Sequence, residues 1–429
     1  MALKTSKNSS AKKTSSAKKS APAKKAAPAR KPTAKAAARK SAKPRSSAVA
    51  KKSTDRTRYE DLVSVGPQSL AGKMLRKFWQ PIYTAENLKP GRPVRLRILS
   101  EDFTLYRGAS GAAFVVGARC PHRGLLLSTG RVVNEDLECF YHGWAFNGNG
   151  QCVAQPCEPK SFAQKIKIPG YPTREYLGLI FAYFGEGEPP EFPTLDVYES
   201  EGFVELREEL RPWPVFTQIE NSVDETHFNF AHRRSKFDDI GINKDIPVLT
   251  CDETEYGLVR RAQRSKGVRT GYLFMPNWSL SSVYEHSKGF AEHLVWRVPV
   301  DDNSHISFMA DFIYKTGADA EAYKTKRAAA LANLATLEPA MSIVEKVIAG
   351  EMHCDDVPAD RPDIVMLQDA ISCVGQGLER QREDDILGAS DRVVSLVRRL
   401  WTREMRAIAE GKPGKRWRVP KDLQTTRGI

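Results

Sequence analysis

The pattern of apolar and polar positions divides the chain into a polar leader, a β-rich stretch and a mixed stretch. From Val94 onward, short β-like runs over 94–98, 103–106, 112–116 and 177–184 alternate with Gly and Pro clusters. That spacing predicts a small antiparallel β domain over roughly 78–187. Ahead of it, residues 59–79 predict a short helix leading into Phe78 and Trp79, and Pro189, Pro190 and Pro193 mark a linker behind it. Beyond the linker, residues 215–230 predict the entrance of a helix, and 251–314 predict several long strands with turns at Pro276-Asn277 and Asp301-Asp302-Asn303. The Ala- and Leu-rich stretch 318–350 has helical spacing. A last helix is predicted with Ser390 as its N-cap, because Val393, Leu396, Val397 and Leu400 recur at the offsets of one apolar face. The outline is α+β without internal repeats. A chain of 429 residues outgrows a single hydrophobic core. The expected organisation is therefore a tail over 1–56, a β domain over 57–187 and a second domain over 188–429.

Charge sharpens the first boundary. The formal net charge is +14, but residues 1–52 hold 17 Lys or Arg and no acid, which leaves the remainder at −3. Basicity thus belongs to a tail of Lys, Arg, Ala, Ser, Pro and Thr whose only large aliphatics after Met1 are Leu3 and Val49. So little apolar surface does not offset the entropy of ordering, and the tail is read as disordered. Such an arm can touch nucleic acid weakly by counterion release, although a solvated extension that sets solubility or location is the simpler reading. A transit peptide would be richer in Arg and amphipathic. No run approaches the roughly 18–20 apolar residues that cross a bilayer, so no membrane contact is expected. Seven cysteines without a recognisable secretory signal point to a reducing, cytoplasmic location, where grouped Cys and His hold metal.

The first such group is Cys120-Pro121-His122-Arg123-Gly124 followed by Cys139-Phe140-Tyr141-His142-Gly143-Trp144. A zinc site of two Cys and two His would place like with like, whereas each loop here offers one of each. Mixed loops suit a [2Fe-2S] cluster with two thiolates on one iron and two imidazoles on the other. Gly124 and Gly143 would let the backbone approach the cluster sulfurs. The pattern, with Trp144, Phe146 and Gly150 downstream, resembles the Rieske domain. Respiratory Rieske proteins carry an additional disulfide-forming Cys in each loop, where this chain has Leu125 and Tyr141. The resemblance therefore implies a potential toward the low end of the Rieske range of about −150 to +300 mV. Cys152 and Cys157 lie outside both loops and are read as ordinary buried thiols.

The second group runs from Glu220 to His232 and contains Asn221, Asp224, His227 and His232. Asp224 and His227 are three apart and share a helical face, whereas His232 would lie about 140° from His227 on an ideal helix. The helix must therefore bend or end between the two histidines. A facial triad for Fe(II) needs two His and one carboxylate. Asp369 is the best candidate for the carboxylate, with Asp363, Asp355 and Asp356 as competitors. His286, His293, His305 and His353 lie in no motif and are expected to be structural or superficial.

The whole run Asn-x2-Asp-x2-His-x4-His, following a Rieske domain, resembles the iron site of the Rieske non-haem iron oxygenases, and the setting of Asp369 resembles their phthalate-dioxygenase-like branch. That resemblance implies a Rieske β domain followed by a helix-grip (START-like) catalytic domain with an antiparallel sheet. It implies a [2Fe-2S] cluster on Cys120, His122, Cys139 and His142, Fe(II) on His227, His232 and Asp369, and O2 as co-substrate. NADH would supply electrons through a flavin- and ferredoxin-type reductase. It further implies a homotrimer in which Asp224 joins His142 of one chain to His227 of the next, with Asn221 standing behind the iron ligands. The substrate would be a small aromatic molecule, and Arg260, Arg261 or Arg269 are candidates to pair with a carboxylate on it. The competing classes are a dedicated electron-transfer protein, which would not need some 240 residues after the linker, and a nucleic-acid-associated protein, which rests on the tail alone.

Overall fold

In the computed structural model the described residues are 59–429 apart from 197–199, 236, 238–240, 286–288, 379–384, 421–422 and 424–429. The basic tail over 1–56 and His286 therefore lie outside the described residues. The single helix expected over 59–79 is two, α1 (Tyr59–Val63) and α2 (Leu70–Arg76), because Gly66 and Pro67 interrupt the first and Ser69 starts the second. The Ser69 hydroxyl accepts a hydrogen bond from the Gly72 amide at 3.1 Å, satisfying one of the free donors of the first turn.

The β-rich half contains β1 (Trp79–Thr84), β2 (Val94–Ile98), β3 (Glu101–Arg107), β4 (Ala113–Gly117), β5 (Arg131–Val133), β6 (Asp136–Glu138), β7 (Ala145–Phe146), β8 (Cys152–Ala154), β9 (Gly170–Tyr171), β10 (Thr173–Tyr176) and β11 (Leu179–Tyr183). They form three antiparallel sheets in the orders β1-β11-β10, β2-β3-β4-β9 and β5-β6-β7-β8. The run predicted over 177–184 starts later as a strand. Leu177 and Gly178, both at positive φ, form the hairpin turn between β10 and β11.

The second half contains β12 (Phe203–Arg211), α3 (Val215–Val223), β13 (Val248–Glu253), β14 (Gly257–Arg264), β15 (Gly267–Phe274), β16 (Trp278–Glu285), β17 (Gly289–Asp301), β18 (Ser304–Ile313), α4 (Gly317–Leu334), α5 (Ala340–Ile348), α6 (Ile364–Gly375) and α7 (Arg392–Ala409). One seven-stranded antiparallel sheet runs β12-β18-β17-β16-β15-β14-β13, a meander closed on one side by the earlier strand β12. The helical stretch predicted over 318–350 divides at Pro339, which occupies the N-cap position of α5. Ser390 is not the cap of the last helix. It sits inside a short 3-10 turn, Asp391 takes the N-cap position, and the Asp391 carboxylate accepts from the Gly388 amide at 2.7 Å.

Alternation along the strands gives the large sheet two unlike faces. Leu280, Leu294, Trp296, Phe308 and Ala310 join Ile82 and Phe181 of the β-rich half in one continuous core, with Phe181 edge-on to Trp296 at 5.4 Å. Intervening positions Arg297, Ser307 and Asp311 are buried polar residues on the other face. The predicted apolar stripe of α7, Val393, Leu396, Val397 and Leu400, is buried in the main core beside Trp401. The Trp401 ring meets Phe216 of α3 at 4.8 Å and its indole donates to the Pro276 carbonyl at 3.0 Å. Trp401→Ala is expected to cost about 3–5 kcal/mol, the usual loss for a buried Trp, as read by urea denaturation. A loss under about 1 kcal/mol would mean that α7 does not anchor α3.

Candidate metal centres

The two Cys-His loops are built on one backbone plan. In the first, the Cys120 amide donates to the Leu125 carbonyl at 2.9 Å and the Gly124 amide to the Cys120 carbonyl at 2.8 Å. In the second, Cys139 donates to the Trp144 carbonyl at 2.8 Å and Gly143 to the Cys139 carbonyl at 3.0 Å. Gly124 and Gly143 hold φ of 77° and 69°, a conformation that costs a residue with a side chain and suits glycine. The His122 and His142 rings come within 4.4 Å, and His122 stacks flat on Trp144 at 4.7 Å. Cys120 and Cys139 are both buried and belong to one small apolar cluster with Leu127, Leu137, Trp144 and Phe146.

This donor set fits a cationic cluster. Burial, together with the neighbouring Cys139 and Cys152 thiols, pushes the Cys120 thiol up to about 11, so that positive charge brought beside its sulfur favours the thiolate. The indole NH of Trp144 is likewise buried without a hydrogen-bond partner. All seven cysteines lie among the described residues, and none forms a disulfide. Cys152 is buried as expected, but Cys157 is exposed, because its loop runs along the outside of the second ligand loop with its thiol 3.7 Å from the His142 carbonyl.

At the second group the helix ends earlier than the histidine spacing alone requires, before either histidine. α3 stops at Val223, and Asp224 leaves it with an extended backbone (φ −78°, ψ 116°). His227–Asn229 then forms a separate 3-10 turn. Asp224 and His227 therefore do not share a helical face. They meet because Asp224 Oδ1 accepts from the amide and hydroxyl of Thr226, at 2.8 and 2.7 Å, which folds the chain back on itself. Asp224 Oδ2 lies 3.7 Å from His227 Nδ1.

The turn brings His227 Nε2 to 3.1 Å from His232 Nε2. Asp369 Oδ1, from α6, lies 3.5 Å from the first and 3.3 Å from the second. Burial alone would raise the Asp369 carboxyl pKa, but the two imidazoles hold it well below the usual carboxylate range. Burial likewise opposes a charge on His227, and the nearby Asp369, Asp224 and Glu225 carboxylates outweigh it and raise its pKa. Two imidazole nitrogens and one carboxylate oxygen converging in this way fit a divalent cation with open positions for further ligands. His232 is oriented from behind by Gln368, 3.1 Å from its Nδ1, and Gln368 is fixed in turn by the Arg233 carbonyl. Asn221 donates to Asp369 Oδ1 at 3.1 Å. Behind Asn221 stands Gln218, donating to its Oδ1 at 3.1 Å, and behind Gln218 stands Trp213, whose indole donates at 3.0 Å.

The competitors of Asp369 lie elsewhere. Asp363 is engaged by Arg361 at 2.9 Å, and Asp355 and Asp356 lie in an exposed turn capped by His353, whose Nδ1 accepts from the Asp355 amide while the Asp356 carboxylate accepts from the His353 amide. His305 is buried with its Nδ1 on the Trp213 carbonyl, and His293 contacts Asp311. His353, Cys354 and Asp355 form a second, fully exposed group.

Sequence reasoning missed Glu225. Its side chain is wholly buried, and Arg260, Arg264 and Arg269 converge on its carboxylate from β14 and β15. Arg260 and Arg269 are thus committed to a protein carboxylate, and Arg261 points the other way, onto the exposed Asp252. The one available signal was an acid inside an otherwise matched motif. Burial would raise the Glu225 pKa, but the three guanidinium groups hold it down to about 2. Because the folded pKa lies below the ordinary 4.5, this contribution to stability is complete above pH 4.5 and is lost as pH falls toward 2. Glu225→Gln leaves the arginines buried without their counter-charge and is expected to cost about 3–5 kcal/mol in urea denaturation at pH 7. The difference from the unsubstituted protein should shrink below pH 4.

Residues 78–172 match the Rieske [2Fe-2S] domain family. The chain is 29% identical over 370 residues to the 5,5'-dehydrodivanillate O-demethylase oxygenase subunit of a Sphingobium species, covering 83% of this chain and 81% of that protein. It is 32% identical to the 3-chlorobenzoate-3,4-dioxygenase oxygenase subunit of Comamonas testosteroni, over 62% of this chain and 65% of that one. Among solved structures, NdmA of Pseudomonas putida CBB5 with caffeine superposes with a TM-score of 0.61 at 18% identity, over 83% of this chain and 98% of that one. The terminal oxygenase of carbazole 1,9a-dioxygenase from Novosphingobium sp. KA1 superposes with a TM-score of 0.59 at 17% identity, over 82% and 96%. Fold and relatives define the class, a Rieske iron–sulfur domain joined to a catalytic domain with a large antiparallel sheet. Within that class the relatives are oxygenase components of Rieske non-haem iron oxygenases, which this chain resembles over most of its length. The family carries a Rieske cluster and a mononuclear iron that uses O2.

Proposed function

We propose that the protein hydroxylates or demethylates a small aromatic substrate, with Cys120, His122, Cys139 and His142 holding the cluster and His227, His232 and Asp369 holding Fe(II). The observation that carries this reading is the convergence of two imidazoles and one carboxylate from separate elements, within 3.5 Å of one another, in a chain that also has a Rieske domain. When bound, the iron supplies oxygen activation fed by electrons from the cluster. The surrounding residues do the positioning. Asp224 faces His227 Nδ1, which is otherwise a buried ring nitrogen without a partner, Gln368 orients His232, and Asn221 holds Asp369.

The relatives support the substrate class, since their names include a dehydrodivanillate demethylase and a chlorobenzoate dioxygenase, both of aromatic carboxylates. Electrons would come from NADH through a flavin- and ferredoxin-type reductase. Phe140 and Tyr141 stand exposed at the tip of the second ligand loop, with Arg131 and Arg123 over their rings, a surface suited to a docking protein. We assign the β domain to 57–187 and the catalytic domain to 188–429. A homotrimer in the cytoplasm, serving aromatic catabolism, would set the cluster of one subunit against the iron of the next, with Asp224 bridging His142 and His227. Among the described residues no helix is long and apolar enough to cross a membrane.

His227→Ala, His232→Ala and Asp369→Ala are each expected to abolish turnover and to deplete mononuclear iron while the cluster spectrum stays intact. An Asp369→Ala variant that keeps its iron and activity would place the third ligand elsewhere. Asp224→Asn keeps the shape and removes charge and one acceptor. Cluster reduction and iron loading should persist, reductase-driven turnover should fall steeply, and peroxide-driven product formation should remain. Loss of iron in that variant would make Asp224 a support of His227 alone.

A further inference from the structure

With Arg260 and Arg269 committed to Glu225, the polar face of the large sheet keeps one buried cation that pairs with no carboxylate among the described residues. Arg297, on β17, is 5% exposed. Its Nη1 donates to Ser279 Oγ of β16 at 3.0 Å, and its Nε is buried without a hydrogen-bond partner. Ser307 lies directly opposite on β18, and its hydroxyl is also buried and unpartnered. Two residues before Ser307, His305 has its Nδ1 on the Trp213 carbonyl, so its Nε2 faces inward, buried and without a partner. Three unsatisfied buried polar atoms thus sit on adjacent positions of two neighbouring strands.

Burying one such group without compensation costs about 1–3 kcal/mol, and more for a charged one, so a cluster of three points to a missing ligand. The sheet face also lies toward the iron site. His305 reaches Trp213, and Trp213 leads through Gln218 and Asn221 to Asp369. Trp213 packs in the same apolar cluster as Leu367 and Ala370 of α6, the helix that bears Asp369.

Building on the oxygenase reading above, we propose that Arg297, with Ser279 and Ser307, is the anchor for a carboxylate on the substrate, so that the enzyme selects anionic aromatic acids over their neutral analogues. Guanidinium binds a carboxylate through two parallel hydrogen bonds, and the Nε side of Arg297 is the side left without a partner. Burial and the neighbouring Arg211 and Arg260 push the Arg297 pKa down to about 9, with Asp369 opposing them, which leaves the group cationic at neutral pH and short of counter-charge. His305 contributes no competing charge, since burial, Arg211 and Arg297 push its pKa down to about 3.

The test is binding to the cluster- and iron-loaded protein, measured by isothermal titration with benzoate and with methyl benzoate, and by thermal unfolding with and without benzoate. The unsubstituted protein should bind benzoate more tightly than the ester and should unfold at higher temperature in its presence. Arg297→Met removes the charge at similar length. It should weaken benzoate about 10- to 100-fold, the usual range for charge-assisted hydrogen bonds, and leave the ester within about twofold. Its ligand-free form should unfold at higher temperature than the unsubstituted protein, because an unpaired buried cation is gone. Equal binding of benzoate by the Met variant, or no preference for benzoate in the unsubstituted protein, would overturn the proposal, and the second comparison needs no variant to fold. Iron content and cluster spectrum are recorded alongside. Failure of the oxygenase reading would appear there, whereas failure of the anchor would appear only in the binding contrast.

Discussion

The metal-binding turn depends on a buried carboxylate that binds no metal. Glu225 stands between Asp224 and His227, and three guanidinium groups from two adjacent strands close on it. A segment of irregular backbone is thereby fastened to the most regular part of the molecule, the antiparallel sheet. Without that fastening, the reversal that sets His227 against His232 would rest on hydrogen bonds alone, those from Thr226 to Asp224, those within the turn and those from Asn229 to the Asn243 and Asp245 carbonyls. From α3 the segment is held a second way, since Glu220 accepts from Arg398 of α7 at 2.5 Å. Both acids belong to the stretch that also bears the metal ligands, so the sequence there serves placement as much as ligation.

Packing has a parallel division of labour. The main core runs without a break from the β-rich half into the large sheet and α7, and none of the seven proposed ligands belongs to it. Cys120 and Cys139 are members of a separate small cluster with Trp144 and Phe146. Asp369 rides on a helix whose apolar residues Leu367, Ala370 and Cys373 form a third cluster with Trp213, Ile343 and Val344. Each metal centre thus rests on its own satellite packing, next to a core that carries most of the burial and presumes nothing about the metals.

Much of this was legible in the residues. β2, β3, β4 and β11 appear within a few residues of where alternation placed them, whereas β1 and the short strands β5 to β10 carry too few residues or too little alternation to have been placed. The two ligand loops are recognisable because Cys, His and Gly are all required at fixed local offsets. That no single helix carries both histidines followed from geometry, since two histidines five apart on one helix do not face one another, but α3 stops before either of them. What stayed hidden was long-range. Asp369 is brought to His227 from 142 positions away, and nothing local separated it from Asp363 except the Arg361 that neutralises the latter. The arginines of β14 and β15 looked like free cations because their partner is a glutamate on another element. The cap of α7 was misplaced by two equally good cap formers side by side, Ser390 and Asp391, of which the chain uses the second.

The row of side chains behind Asp369 also has a direction. An indole nitrogen gives a hydrogen bond and never receives one, so Trp213 obliges Gln218 to present its oxygen. Gln218 must then offer its nitrogen to Asn221, and Asn221 has only its own nitrogen left to turn toward the carboxylate. Amide groups are nearly symmetric in shape and can reverse at little steric cost. In this row they are held in one sense, as links in a chain all facing the same way, by a ring at its far end that has no choice. The ligand carboxylate accordingly meets a donor on that side whether or not a metal is bound, and the polarity of the site is written into the protein before any iron arrives.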